Sequence, residues 1–389
     1  MKKTILLISL LSLFQASCEK DFSGNWPYIP PDSINDGFVA GSLEEVNIDA
    51  GMIAKAVGRI HQGKYKEVHS MLIYKDNRLV FEEYFQGHVY KWDAPYHHGE
   101  LVTWNRDMVH NTMSATKSIV SACIGIAIDH GFIESVHQSI FDYLPDHQHL
   151  SNGGKEKITI EHLLTMTSGL EWREWSAPYS STANPCIGIW FQEEDPISYI
   201  LEMPLVDAPG SNFNYSTGHM NLLGEIIRNA SGMTIDEFSS TYLFGPLGID
   251  TADWYLKFEN GIYDANNLRI TPRAMTKFGA TFLNNGVWNG NRIVSKQWVE
   301  KSAVPYSGNQ GINVPGEASG RLGYSYTWWT REYAFKGNKI DMYTASGFGG
   351  QYIMILPELN TVVVFTCGNY LTRRPPFEIL ERFILPAIN

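Results

Sequence analysis

MSATKSIVSACIGIAI, residues 113–128, carries one charged side chain, Lys117, among small and apolar residues. A run apolar on nearly all sides predicts a buried helix. Ser114 precedes Lys117 by three positions, and residues so spaced share a helix face. Ser114 then falls at the helix start, where free backbone N–H groups and the helix dipole favour an oxyanion. Burial disfavours an ammonium, so Lys117 is expected to have a lowered pKa and to accept a serine proton. The competing reading is a serine N-cap with a solvent-facing lysine, and the apolar sequence around Lys117 argues against it.

Two downstream segments strengthen the serine–lysine reading. Phe213-Asn214-Tyr215-Ser216-Thr217 follows Pro209-Gly210 and precedes a helix expected from about Gly218, which puts Tyr215 on a short loop. A phenol titrates near pKa ~10, but a neighbouring cation lowers that value. Serine, lysine and tyrosine together can take up the serine proton and return it to a leaving group. Ala345-Ser346-Gly347-Phe348-Gly349-Gly350 leads into a β-rich run, and its glycines allow the backbone to approach a ligand closely. An N–H there is expected to face a substrate carbonyl opposite that of Ser114.

The order of elements predicts an α+β fold. His69–Phe85 holds two β-rich runs around Asp76-Asn77, a hairpin signal. Further β-rich runs occupy Tyr324–Thr330, Lys339–Thr344, Gln351–Ile355 and Val362–Thr366. Helices are expected at Ile160–Met166 behind Thr159, at Met220–Asn229, and at Pro272–Asn284. Strands at both ends imply one antiparallel sheet flanked by helices, with a mainly helical region, about 130–290, inserted.

The three segments, in this order, resemble the motifs of the serine β-lactamase and penicillin-binding-protein superfamily. The likeness is to its class C-like branch of esterases, D-amino-acid peptidases and 6-aminohexanoate-dimer hydrolases. The phrases MSATKSIVSACIGIAIDHG, ITIEHLLTMTSGLEW, FNYSTGHMNLLGEIIRNASG and FGPLGI are similar to wording in that branch. The resemblance implies a β-lactamase/transpeptidase-like fold and no cofactor. It implies Ser114 as acyl acceptor, Lys117 as proton relay and Tyr215 as the base for a deacylating water. The N–H groups of Ser114 and Phe348 would form an oxyanion hole, with Ala345, Ser346, Gly347, Thr217 and Trp172 at the substrate.

Departures from the family pattern bear on substrate. Ala345-Ser346-Gly347 stands where β-lactamases have Lys-Thr-Gly, so the cation that pairs with a substrate carboxylate is missing. Such a charge-assisted contact is worth about 1.5–3 kcal/mol, and its loss disfavours penicillin-like substrates. Thr217 stands where Asn is common, which leans toward a small-molecule ester or simple amide. The alternatives are a β-lactamase or D-Ala-D-Ala peptidase of the envelope, and a non-catalytic binding protein that keeps the fold. Trp172, Trp175, Tyr179 and Trp190 on one side, and Tyr324, Tyr326, Trp328 and Trp329 on the other, are expected to be mainly core, with two or three touching ligand.

The chain of 389 residues is 44% hydrophobic and 18% charged, an ordinary globular composition. Residues 1–17 read as an export signal, with Lys2-Lys3, an apolar run and small residues before Cys18. Ala16-Ser17-Cys18 resembles a lipoprotein cleavage box, with Gln15 in place of the usual leucine-like residue. Cys18 is thus expected to carry a lipid anchor, on an exported bacterial lipoprotein of the periplasm or outer membrane. Residues 18–45 form a tether and 46–389 the hydrolase domain. Removing residues 1–17 moves the formal charge from −11 to −13, which disfavours nucleic acid as a partner. Cys123, Cys186 and Cys367 suit neither a disulfide framework nor a zinc site. His97-His98 with Glu100 invites a metal reading, but adjacent histidines point differently and no partner cluster is evident, so no metal is expected.

Overall fold

The structure, a computed structural model, describes residues 26–179, 181–191, 194–315, 322–370 and 375–389. The export signal, Cys18 and the first part of the tether lie outside the described residues.

Helix α1 (Ala50–His61) begins at Asp49, whose carboxylate accepts from the N–H groups of Gly51 and Met52. It is followed by β1 (Val68–Lys75) and β2 (Arg78–Tyr84), joined by the expected turn. Asp76 and Asn77 both take positive φ, 50° and 62°, which matches the twist of a tight hairpin. Next come a second hairpin, β3 (Gln86–Tyr90) and β4 (His98–Thr103), and the long helix α2 (Thr116–Asp129). Helices α3 (Gly218–Ser231), α4 (Pro272–Leu283) and α5 (Lys296–Ala303) follow. The chain then forms β5 (Gly323–Ser325), β6 (Trp328–Phe335), β7 (Asn338–Gly347), β8 (Gln351–Leu356) and β9 (Thr361–Cys367).

Among the described residues the main sheet has seven antiparallel strands in the order β5-β6-β7-β8-β9-β1-β2. The two ends of the chain meet where β1 pairs with β9, Leu72 opposite Val364 and Tyr74 opposite Val362. Side chains alternate across a sheet, and here both faces are buried. Leu72, Tyr74, Ile353, Val362 and Val364 join the core shared with α2, α3 and α4. Met71, Ile73, Met354, Val363 and Phe365 join a second core with α1 and the C-terminal helical segment. Helix α4 lies on the sheet at Gly279, where an added Cβ would come within 2.7 Å of Ile353 and Val362.

One expected strand is broken. The run Tyr324–Thr330 turns at Tyr326 and Thr327, both with positive φ (42° and 72°), giving β5 and β6 as a hairpin. No Gly, Asn or Pro marks that turn. Burial holds it, because Tyr326 and Thr327 are almost fully enclosed and the Thr327 N–H donates to the Leu164 carbonyl.

Candidate active site

The segment 113–128 is not one continuous α-helix. Met113–Ala115 forms a separate 3-10 turn, entered through Met113 at φ 50°, and α2 starts only at Thr116. Left-handed backbone is uncommon for a non-glycine residue and concentrates at functional sites. Here Asn111 fixes the entry by accepting the Met113 N–H at 3.0 Å. Thr112 anchors it from the other side, through its N–H and hydroxyl on the Leu268 carbonyl. The half-exposed Ser114 therefore projects from a tight turn, with its Oγ 3.2 Å from Lys117 Nζ. Helix α2 is enclosed all round, and Lys117 is only 2% exposed.

The protonation states differ from those expected. Burial alone would lower Lys117, but the Tyr215 oxygen and the Glu174 carboxylate outweigh it and the lysine lies above its usual value. Tyr215 is also raised: burial pushes the phenol up, and the pull of Lys117 does not cancel it. The resting pair is thus an ammonium beside a neutral phenol. The Tyr215 ring lies 5.3 Å from Lys117 Nζ. Trp175 stacks on that ring at 5.2 Å, and Trp329 and Tyr324 lie at 6.0 and 6.4 Å. These aromatic rings enclose the phenol and cause the desolvation.

Lys117 has two further oxygen partners, Thr217 Oγ1 at 3.1 Å and Asn266 Oδ1 at 3.3 Å. Behind Thr217 sits Glu174, a buried carboxylate that the sequence reading missed. One of its oxygens accepts from Trp172 Nε1 and the Thr217 N–H, both at 2.8 Å. The other accepts from Tyr179 OH at 2.9 Å and Thr217 Oγ1 at 2.7 Å. The threonine hydroxyl therefore spends its hydrogen on Glu174 and turns a lone pair to Lys117. Asn266 is held by Asn221 and Asp264 through its amide. A threonine with this asparagine thus surrounds the lysine where the family pattern has Asn at the position of Thr217.

The pocket at Ser114 is a narrow cavity of about 90 Å³, lined also by Lys117, Thr217 and Phe348. Of the aromatic residues singled out from the sequence, Tyr179 and Trp190 line it. Trp172 stands one layer back, buried, bonded to Glu174. Trp328 and Tyr326 belong to the core. Ala345 is fully buried in that core, and neither it nor Ser346 lines the cavity. Gly347 ends β7 directly against the serine turn, where an added Cβ would stand 2.3 Å from the Thr112 carbonyl oxygen. The opposite wall comes from the β3–β4 hairpin through Tyr90, Trp92 and His97, of which the sequence singled out only His97, and then as a metal candidate rather than a pocket residue. Cys186 also lines the cavity, and Cys123, Cys186 and Cys367 are all free thiols.

A family model described as Beta-lactamase matches residues 66–378, and the chain belongs to that family; its antiparallel sheet with helices on both faces is the corresponding fold. Over 265 residues it is 26% identical to the 6-aminohexanoate-dimer hydrolase of Paenarthrobacter ureafaciens, covering 66% of this chain and 65% of that protein. The match thus spans just under two thirds of that relative's length. It is 22% identical over 351 residues to the D-alanyl-D-alanine-carboxypeptidase/endopeptidase of Escherichia coli strain K12, covering 84% of this chain and 86% of that one. A solved family VIII carboxylesterase is similar in fold, with a TM-score of 0.63 at 15% identity, over 86% of this chain and 96% of that one.

Proposed function

We propose that the protein is a serine hydrolase that cleaves an uncharged ester or simple amide through an acyl-enzyme at Ser114. The observation that carries this reading is the contact of Ser114 Oγ with a buried lysine at the mouth of an aromatic pocket. In the first half-reaction Oγ attacks the substrate carbonyl, and its proton passes to the Lys117–Tyr215 pair once that pair has lost one proton. The same proton returns to the departing alkoxide or amine. In the second half-reaction Tyr215 takes a proton from water, which attacks the acyl carbon and releases Ser114 Oγ, reprotonated by the pair. The N–H groups of Ser114 and Phe348 are the proposed donors to the oxyanion.

The pocket supports an uncharged substrate. Among its described lining residues Lys117 is the sole lysine or arginine, and its partners are already serine, threonine and asparagine oxygens. Among the described residues that line the pocket, no lysine or arginine is left to meet a β-lactam or D-Ala-D-Ala carboxylate. The relatives' names, a dimer hydrolase and a carboxypeptidase/endopeptidase, favour amide cleavage, and the carboxylesterase likeness favours esters. A panel of p-nitrophenyl esters, simple amides, D-Ala-D-Ala peptides and nitrocefin tests the reading. Neutral short-chain esters are expected to turn over fastest, and faster turnover of nitrocefin or D-Ala-D-Ala peptides would reject it.

We also infer export and lipid attachment at Cys18, on the strength of Lys2-Lys3, the apolar run after them and Ala16-Ser17-Cys18. Labelled palmitate supplied to a bacterial host is expected in the natural chain and absent from Cys18→Ala. Equal labelling of the two rejects the anchor.

A further inference from the structure

The hairpin that walls the pocket also carries a second cluster. His97 lines the cavity at Ser114, while its neighbour His98 joins Glu67 and His88, each of the three offering one ligand atom within 4.8 Å of the others. We propose that Glu67, His88 and His98 form a zinc site, and that the bound ion fastens the β3–β4 hairpin over the pocket.

The backbone assembles the cluster. A register shift between His88 and Tyr90 sets Tyr90 opposite His98. Without it Tyr90 would face Gly99, and His98 would point to the other side of the hairpin. With it the two imidazoles lie parallel, with ring centroids 4.5 Å apart. Glu67 adopts φ 55°, a left-handed conformation that brings its carboxylate to within 2.8 Å of His88 Nδ1. The opposite carboxylate oxygen is held by the His88 N–H at 3.0 Å and lies 3.1 Å from Nε2 of the buried His69. His98 Nε2 sits 2.9 Å from the Gly368 carbonyl, which leaves Nδ1 as its lone-pair nitrogen. Backbone and imidazole partners of this kind orient metal ligands. Gly368 permits the packing, since a Cβ there would stand 2.9 Å from Glu67.

Two imidazoles and a carboxylate are a donor set that suits zinc, with a fourth position open. Ligand atoms about 2.0–2.2 Å from a tetrahedral ion stand about 3.3–3.6 Å apart, so His88 Nδ1, now 2.8 Å from the Glu67 carboxylate, must exchange that hydrogen bond for the ion. Glu67 and His98 also border a cavity of about 580 Å³, which provides the entry path. The cluster adjoins the active site through the hairpin itself, whose Trp92 packs edge-on against Trp190 at 5.1 Å in the pocket wall. The hairpin forms one wall of the cavity at Ser114, and an ion tying His88 and His98 to Glu67 restrains that wall.

The test is zinc titration of the full chain after chelator treatment, followed by hydrogen exchange of residues 86–103 with and without zinc. The natural protein is expected to bind one equivalent at micromolar free zinc and to slow exchange across the hairpin. His88→Gln and His98→Gln, checked as folded by their melting curves, are each expected to weaken binding by more than about 100-fold, beyond the loss of about 10- to 100-fold that follows removal of a ligand's hydrogen-bond partner. Neither readout depends on turnover. Absence of micromolar binding by the natural protein, or binding unchanged in both variants, overturns the site, and unaltered exchange in the zinc-bound protein overturns the fastening role.

Discussion

Ser114→Ala is expected to lower kcat/KM for p-nitrophenyl esters by about 10⁴-fold or more, with the melting temperature unchanged. A nucleophile that acts as a unit with its proton carrier cannot be bypassed, and losses of this order follow its removal. The corresponding transition-state energy is about 5–6 kcal/mol. Stability is spared because Ser114 is half exposed and Lys117 keeps Thr217 and Asn266 as partners. Steady-state kinetics with a thermal melt of the same sample separates the two effects. A variant that retained more than a tenth of the activity would remove Ser114 from the chemistry.

Lys117→Met is expected to reduce kcat/KM about 10³-fold, within the range that general acid–base groups contribute, and to change its pH dependence. In the natural protein the lysine is held above its usual value and the phenol is raised by burial. A raised pKa keeps the proton on until higher pH, so the basic form of the pair appears on the alkaline side. kcat/KM should therefore climb through the alkaline range and fall on acidification, with the limb belonging to the pair rather than to either residue. Without the cation the burial of Tyr215 is unopposed, and the limb moves further alkaline. Glu174→Gln moves it the other way, because the Glu174 charge raises both Lys117 and Tyr215. A profile of kcat/KM against pH on a neutral ester, corrected for uncatalysed hydrolysis, checks all three chains. Identical limbs would show that the pair carries no catalytic proton.

The parts of this molecule legible from sequence are those set by local pattern. The β1–β2 turn at Asp76-Asn77 and the helix starts at Ile160, behind Thr159, and at Pro272 all appear where short-range chemistry puts them. The Ser114–Lys117 pair was legible for the same reason: three residues of spacing nearly determine the contact. What was hidden depends on residues far apart in the chain. Glu174 looks like any charged residue until Trp172, Tyr179 and Thr217 converge on it. Its charge, together with Tyr215, reverses the expected direction of the Lys117 pKa. Nor did His97-His98 disclose that a register shift sends one ring toward the pocket and the other toward Glu67. The pattern around Ala345 points to a missing contact at the substrate, yet its side chain lies in the core.

Binding of acyl groups at Ser114 is the claim on which the functional account stands. Intact-mass measurement after brief exposure to an activated ester or a fluorophosphonate, with peptide mapping of the adduct, examines it directly. The account predicts a single covalent addition on the peptide containing Ser114, lost in Ser114→Ala and slowed in Lys117→Met. An adduct on another residue, or equal labelling of Ser114→Ala, would contradict it.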